Sequence, residues 1–208
     1  MKKIPHVLTM AFIVLTSPLT FAASSTDLTV TGLITPNACT PNLSSGGIVD
    51  YGKIPVKDLQ QNTSTPLGDK TLTLDVKCDG PTPFALFAQD NRAGSASSAS
   101  SLFFGLGKIN EAQNLGSYAL TMTNAVADGV AVQTIKSVDG KNDWRPQVFM
   151  WPGQYMSVAA IGNPGLPIPI QDLTLELGIT TSIARADGLD LTNEVLIDGS
   201  ATLEMNYL

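Results

Sequence analysis

The stretch Thr26 to Cys39 reads "TDLTVTGLITPNAC". Thr26, Leu28, Val30, Gly32 and Ile34 alternate with Asp27, Thr29, Thr31, Leu33 and Thr35. A strand here puts the first set on one face, which is apolar apart from Thr26 and carries a side-chain gap at Gly32. Within this stretch lies the decision on the fold: a strand of this pattern at the edge of the chain needs a sheet to join.

Immediately upstream, Lys2 and Lys3 precede the apolar run "VLTMAFIVL" (Val7 to Leu15) and then "TSPLTFA" (Thr16 to Ala22), which ends in small residues. This three-part layout is that of a secretory signal peptide over residues 1–22, with cleavage expected after Ala22, or after Ala23 as a fallback. A membrane anchor would need ~20 apolar residues, more than the run supplies before Thr16, Ser17 and Pro18 interrupt it. The expected mature chain is exported and has 186 residues of the 208, a length that fits one domain. Without Lys2 and Lys3 it carries 10 basic and 18 acidic side chains, a formal charge of −8. Such a surface repels nucleic acid and anionic lipid.

Cys39 and Cys78 are the only cysteines. In an oxidising compartment one intrachain disulfide is the economical reading. A redox pair or a metal site fits poorly, because there is no Cys-x-x-Cys and too few nitrogen or sulfur donors. The single histidine, His6, lies in the expected signal segment. The mature chain therefore lacks the residue that nucleophilic triads, imidazole metal sites and most general bases require, and no enzyme activity and no cofactor are expected. Asp187, Asp190 and Glu194 in "ADGLDLTNE" depart from calcium-loop spacing and are read as an acidic turn. "VDGKND" (Val138 to Asp143) reads as a hairpin turn.

Downstream, short strands alternate with turns. Strands are expected over "GIVDYGKIPV" (47–56), "KTLTLDVKC" (70–78), "PFALFAQD" (83–90), "LFFGLGKI" (102–109), "GSYALTMTN" (116–124), "GVAVQTIKSV" (129–138), "PQVFMW" (146–151), "QDLTLELGITTSIA" (171–184) and "GSATLEMNYL" (199–208). Loops are expected over 60–69, over the Ser/Ala-rich 91–101, and over the proline-rich 163–170. The disulfide would tie the end of the first strand to the end of a later one. Many short strands, no helix longer than a turn or two and no internal repeat indicate an all-β sandwich. The two chain ends are alternating strands with nothing beyond them to pair with, which an edge must resolve.

"LTVTGLITPNAC", "VDYGKI", "KTLTLDVKC" and the terminal "GSATLEMNYL", with Tyr207 next to last, together resemble the pilin subunits of the chaperone-usher pathway, closest to their uncharacterised fimbrial-like members. Both ends match well, and the middle, 91–169, matches only by strand pattern. The resemblance implies an immunoglobulin-like β-sandwich over 36–208 that lacks its final strand. It implies that residues 23–35 form a donor-strand extension, in which Thr26, Leu28, Val30, Gly32 and Ile34 fill successive pockets of a neighbouring subunit. It further implies a periplasmic chaperone that contacts Leu203, Met205 and Tyr207 of the C-terminal strand, an outer-membrane usher, neighbouring pilin subunits in a homo- or hetero-polymer, and display at the cell surface in fimbriae that support adhesion. Leu208 departs from the family, where a polar last residue is more usual.

The residues themselves support an extension of this kind. About ten residues in extended form reach ~33 Å, the length of a sandwich sheet. Burying Leu28, Val30 and Ile34 contributes about 1.5 to 3 kcal/mol each, against about 1 to 2 kcal/mol per residue for ordering a free tail. The balance favours docking only into a groove that is already formed. A second reading is a secreted sugar- or surface-binding sandwich with Trp144, Trp151 and Tyr155 as a stacking platform; packing of these aromatics in the core is the competing explanation.

Overall fold

In the computed structural model the described residues are 28–32 and 38–208. The chain divides into two units, Met1–Ile34 and Thr35–Leu208. The expected signal peptide 1–22, the cleavage site, Thr26 and Ile34 lie outside the described residues. Residues 28–32 form no strand within the single chain, and Leu28 and Val30 are 89% and 86% exposed. Extended backbone without a ladder partner leaves its N–H and C=O groups to solvent, so pattern alone does not make it a strand.

The second unit is all-β. Its strands are β1 (Cys39–Leu43), β2 (Thr65–Thr82), β3 (Phe84–Asp90), β4 (Phe104–Gly105), β5 (Lys108–Ile109), β6 (Gln113–Asn114), β7 (Gly116–Ala127), β8 (Val130–Ala131), β9 (Gln133–Ser137), β10 (Arg145–Pro146), β11 (Phe149–Met150), β12 (Tyr155–Ala159), β13 (Ile170–Ile183) and β14 (Ala201–Tyr207). One sheet runs β1-β2-β13-β7-β11, with β4 and β8 also paired to β7; a second runs β10-β9-β12-β3-β14; β5 and β6 pair alone. Apolar residues of both main sheets share one core, so they pack as a sandwich. Across β2 and β13 the inward pairs are Leu72 with Leu177, Leu74 with Leu175 and Val76 with Leu173. The polar partners between them, such as Thr73 opposite Glu176, face outward, which is the period-two signal read in the sequence. Among the described residues no helix is long and apolar enough to cross a membrane.

Several boundaries differ from expectation. Residues 48–55 belong to no strand. Gly46, Gly47 and Gly52 have φ of +61, +74 and +65°, and the Asp50 carboxylate accepts the Gly52 N–H at 2.7 Å, a local turn that competes with a ladder. Thr65 to Asp69, expected as loop, begin β2 and pair with the end of β13 across a register shift. Pro66, which has no N–H, and Gly68, at φ +83°, disguise this as loop sequence. Cys78 is therefore inside β2, not at its end. The Cys39–Cys78 disulfide is present, and it links directly opposed residues of β1 and β2. The strand β12 was not expected. Met156, Ser157, Val158 and Ala159 are all buried, so no polar alternation marks it.

Burial on both sides of the second sheet has a local cause. Leu86 and Val158 face the main core, while Ala85, Ile135 and Ala159 face away from it and are covered by Trp144. The turn that carries Trp144 over this outer face is built on Asp139. Its carboxylate accepts the N–H groups of Lys141 and Asn142 and the Ser137 hydroxyl, each at 2.9 Å. Those bonds hold its carboxyl well below the usual carboxylate range, the N–H of Asn142 contributing most. "VDGKND" thus forms the turn between the antiparallel β9 and β10 that its sequence indicates.

Candidate functional site

The C-terminal strand ends the second sheet. On one side β14 pairs in full with β3, Leu203 opposite Ala88, Met205 opposite Leu86 and Tyr207 opposite Phe84. On its other side no strand pairs with it among the described residues. The side chains report the same asymmetry: Ala88, Leu86 and Phe84 are buried at 0, 1 and 3% exposure, whereas Leu203 and Met205, which pack on the same core, are only half-buried. An unpaired edge with half-covered apolar residues is a template for another strand.

Alongside that edge the sandwich is open. A hollow of about 260 Å³ lies beside β14, and a second of about 660 Å³, away from β14, shares Val49, Tyr51 and Ile197 with it. The first is floored by Leu72, Leu120 and Ile179 and flanked by Leu43 and Leu203. The second reaches Leu59, Leu115, Ile183 and Leu191. The near wall is the strandless segment 48–55, and the far wall is the strandless run 189–200 together with β14. The floor consists of the inward face of β2, β7 and β13, whose side chains Leu72, Leu120 and Ile179 stay buried at 4 to 7% exposure.

Tyr207 ties the end of β14 across to the other sheet. Its hydroxyl accepts the Cys39 N–H at 2.9 Å, and the Leu208 N–H donates to the Pro83 carbonyl at 3.1 Å. The last strand of one sheet is thereby joined to the disulfide-bearing edge strand of the other. The far wall is tied down at both ends. Arg92 grips Asp198 through Nε and Nη2, both at 2.8 Å. Asn91 donates to the Ser200 carbonyl and to the hydroxyls of Ser200 and Thr202. At the other end the Asp190 N–H donates to Gln113 at 2.8 Å.

The sequence-derived residues divide clearly. Leu203 lines the cleft, Met205 packs on the core beside it, and Tyr207 meets the Cys39–Cys78 disulfide strand pair through Cys39. Leu28, Val30 and Gly32 belong to the other unit, and Thr26 and Ile34 lie outside the described residues. The wall residues Val49, Tyr51 and Ile197 and the Arg92–Asp198 clamp were not anticipated. "VDYGKI" was read as part of a strand and of the family resemblance, not as a cleft wall, and no local signal links Arg92 to a partner 106 positions away.

The other candidates resolve into ordinary structure. Asp187 pairs with Arg185 at 3.0 Å, Glu194 faces Lys53 at 3.4 Å, and Asp190 accepts its own neighbour Thr192. The Thr192 hydroxyl and N–H, in that order, hold the Asp190 carboxyl below its ordinary value. Among the described residues no group of three or more His, Cys, Asp or Glu side chains is placed to hold a metal. Trp144, Trp151 and Tyr155 form no shared exposed platform. Trp144 is buried, Lys136 Nζ sits 4.1 Å from the Trp151 ring centroid, and Tyr155 packs on Phe87.

Residues 28–102 match a family model described as "Protein of unknown function (DUF1120)". Two Escherichia coli (strain K12) proteins are similar along most of their length. "Uncharacterized protein YhcF" is 26% identical over 223 aligned positions, covering 90% of this chain and 92% of that protein. "Protein GltF" is 25% identical over 228, covering 89% of each.

Proposed function

We propose that the chain is a structural subunit of a chaperone-usher fimbria, polymerising by donor-strand exchange. The observation that carries this reading is the edge of β14, unpaired among the described residues, with half-buried Leu203 beside an apolar hollow between the sheets. The occupant is the N-terminal extension, residues 23–35, of a neighbouring subunit. Leu28 and Val30 are alternate apolar side chains exposed at 89% and 86%, available for burial elsewhere. Added to β14, such a segment gains ladder hydrogen bonds of about 0.5 to 1.5 kcal/mol each in addition to its buried side chains. Gly32, between Val30 and Ile34, suits the point where Val49, Tyr51 and Ile197 line both hollows.

Before assembly the same edge is a liability, which a periplasmic chaperone would cover by contacting Leu203, Met205 and Tyr207. An outer-membrane usher would then pass subunits to the cell surface, where the fibre supports adhesion. The role is structural, with no catalytic residue and no cofactor. The burial of Trp144 weighs against the sugar-binding alternative.

The test is assembly. Chaperone-purified protein is incubated alone and run unheated in SDS. Wild type is expected to form ladders, and Gly32→Leu or deletion of residues 23–35 to leave monomers. A wild type that remains monomeric and soluble without a chaperone would contradict the reading.

A further inference from the structure

The two ends of the sandwich carry different exposed apolar side chains. At one end the Cys39 N–H meets the Tyr207 hydroxyl, Leu208 bonds to Pro83, and Ile170 pairs with Thr82. This is the end from which the chain continues back toward residues 23–35. Leu166, Ile161 and Leu208 are 71, 69 and 45% exposed there. At the opposite end Ile183 pairs with Thr65 and Ala201 with Asp90, and Leu196 and Val56 are 80 and 48% exposed. The loop 160–169 that displays Ile161 and Leu166 is fixed. The Ala160 carbonyl accepts the Asn163 N–H at 3.0 Å and Gln133 Nε2 at 2.6 Å, and the Ile168 N–H donates to the Val158 carbonyl at 3.2 Å. Pro164, Pro167 and Pro169 set φ along it. Leu166, Pro167 and Leu208 rim a hollow of about 480 Å³ backed by Trp144 and Tyr155. Apolar side chains held on a fixed backbone have little ordering entropy left to lose on docking, which suits a contact surface.

Chain length and strand direction decide what meets this surface. Residues 33–37 join Gly32 to Ala38, and a link of that length spans at most about 20 Å. A neighbour that takes up the extension therefore abuts the Cys39 end. Antiparallel addition to β14, the more stable pairing per residue, brings the C-terminal end of the extension to the Ala201 end of the neighbour's strand, where Leu196 and Val56 are displayed. We infer that consecutive copies share a second contact besides the exchanged strand: the surface of Leu166, Ile161 and Leu208 on one copy packs against Leu196 and Val56 of the next. The inference rests on the strand-exchange reading for the placement of the copies. The two surfaces are unlike, so the contact is heterologous and continues from copy to copy instead of closing a symmetric pair. An exchanged strand alone leaves a short link as the hinge between copies; apolar packing at both sides of that link fixes their relative orientation.

The test is cross-linking between copies that each carry one added cysteine at an exposed position. Chaperone-purified Leu166→Cys and Leu196→Cys chains, with different tags and the native disulfide intact, are mixed, incubated alone and treated with a short bismaleimide. A second mixture pairs Leu166→Cys with Val130→Cys, which is 65% exposed and lies at the same end of the sandwich as Leu166. The expected result is a product joining the two tags through positions 166 and 196, and its loss in the 166 and 130 mixture. Adding Ile161→Asp to the Leu166→Cys chain should lower the 166–196 product while ladders persist. Ladders without the 166–196 product, or with as much 166–130 product, would overturn the second contact and leave strand exchange standing. The 166–196 product without ladders would keep the contact and refute strand exchange, and the absence of both would overturn both.

Discussion

At the scale of the residue, Tyr118 and Tyr207 show how placement changes what one phenol does. Tyr118 is buried at 7% exposure, stacked on Phe104 with centroids 5.2 Å apart. Burial, and secondarily the Asp90 charge, push its hydroxyl well above the usual tyrosine range, against a smaller opposing effect of Arg92. The unfolded chain ionises this group near its ordinary value, so its contribution to stability is complete below about pH 10 and is lost above it. Denaturant midpoints measured at about pH 9 and pH 11 should therefore fall further in wild type than in Tyr118→Phe; equal falls would contradict this. Tyr207 is 36% exposed and acts through its oxygen, which accepts the Cys39 N–H. Tyr207→Phe should cost about 0.5 to 1.5 kcal/mol in equilibrium unfolding, without altering the disulfide. No measurable cost would mean that the bond contributes nothing to joining the sheets.

At the scale of the element, the contrast between β13 and β14 separates finished packing from unfinished. Leu175, in mid-β13, is 1% exposed, whereas Leu203 in β14 is half-buried. Leu175→Ala should cost about 2 to 5 kcal/mol and Leu203→Ala markedly less in the unassembled chain, as denaturation curves can check. Equal costs would mean that the cleft is already filled. The strands that were legible in sequence are those with one wet face. Leu173, Leu175, Leu177 and Ile179 alternate with polar residues and mark β13, and Leu203 and Met205 mark β14. Where both faces are buried, as in β12, the alternation vanishes. Where Pro66 and Gly68 interrupt β2, loop composition conceals a bulged continuation. The segment 48–55 failed in the other direction: its apolar residues Val49, Tyr51 and Ile54 suggested a strand, but they line a cleft and join no strand.

At the scale of the whole molecule, two cysteines in an expected exported chain were enough to read the disulfide, and its position across β1 and β2 fixes an edge strand 39 residues from its partner. Replacing both cysteines by serine should cost about 4 kcal/mol, less any strain, in the chain-entropy account, measurable by denaturant unfolding; a negligible loss would contradict it. The cleft as a space was not legible, because its walls come from residues 43 to 203 and its clamp joins Arg92 to Asp198. What could be read in advance was an alternating segment near each end of the chain, which the proposed strand exchange would bring together. The most direct test of their relation is to replace Val30 with photoreactive benzoylphenylalanine in isotopically light chains and to irradiate them assembled with heavy wild type. The account predicts light–heavy cross-links that map to the cleft, at Leu43, Val49 or Leu203. Cross-links confined to single copies, or mapping elsewhere on the neighbour, would contradict it.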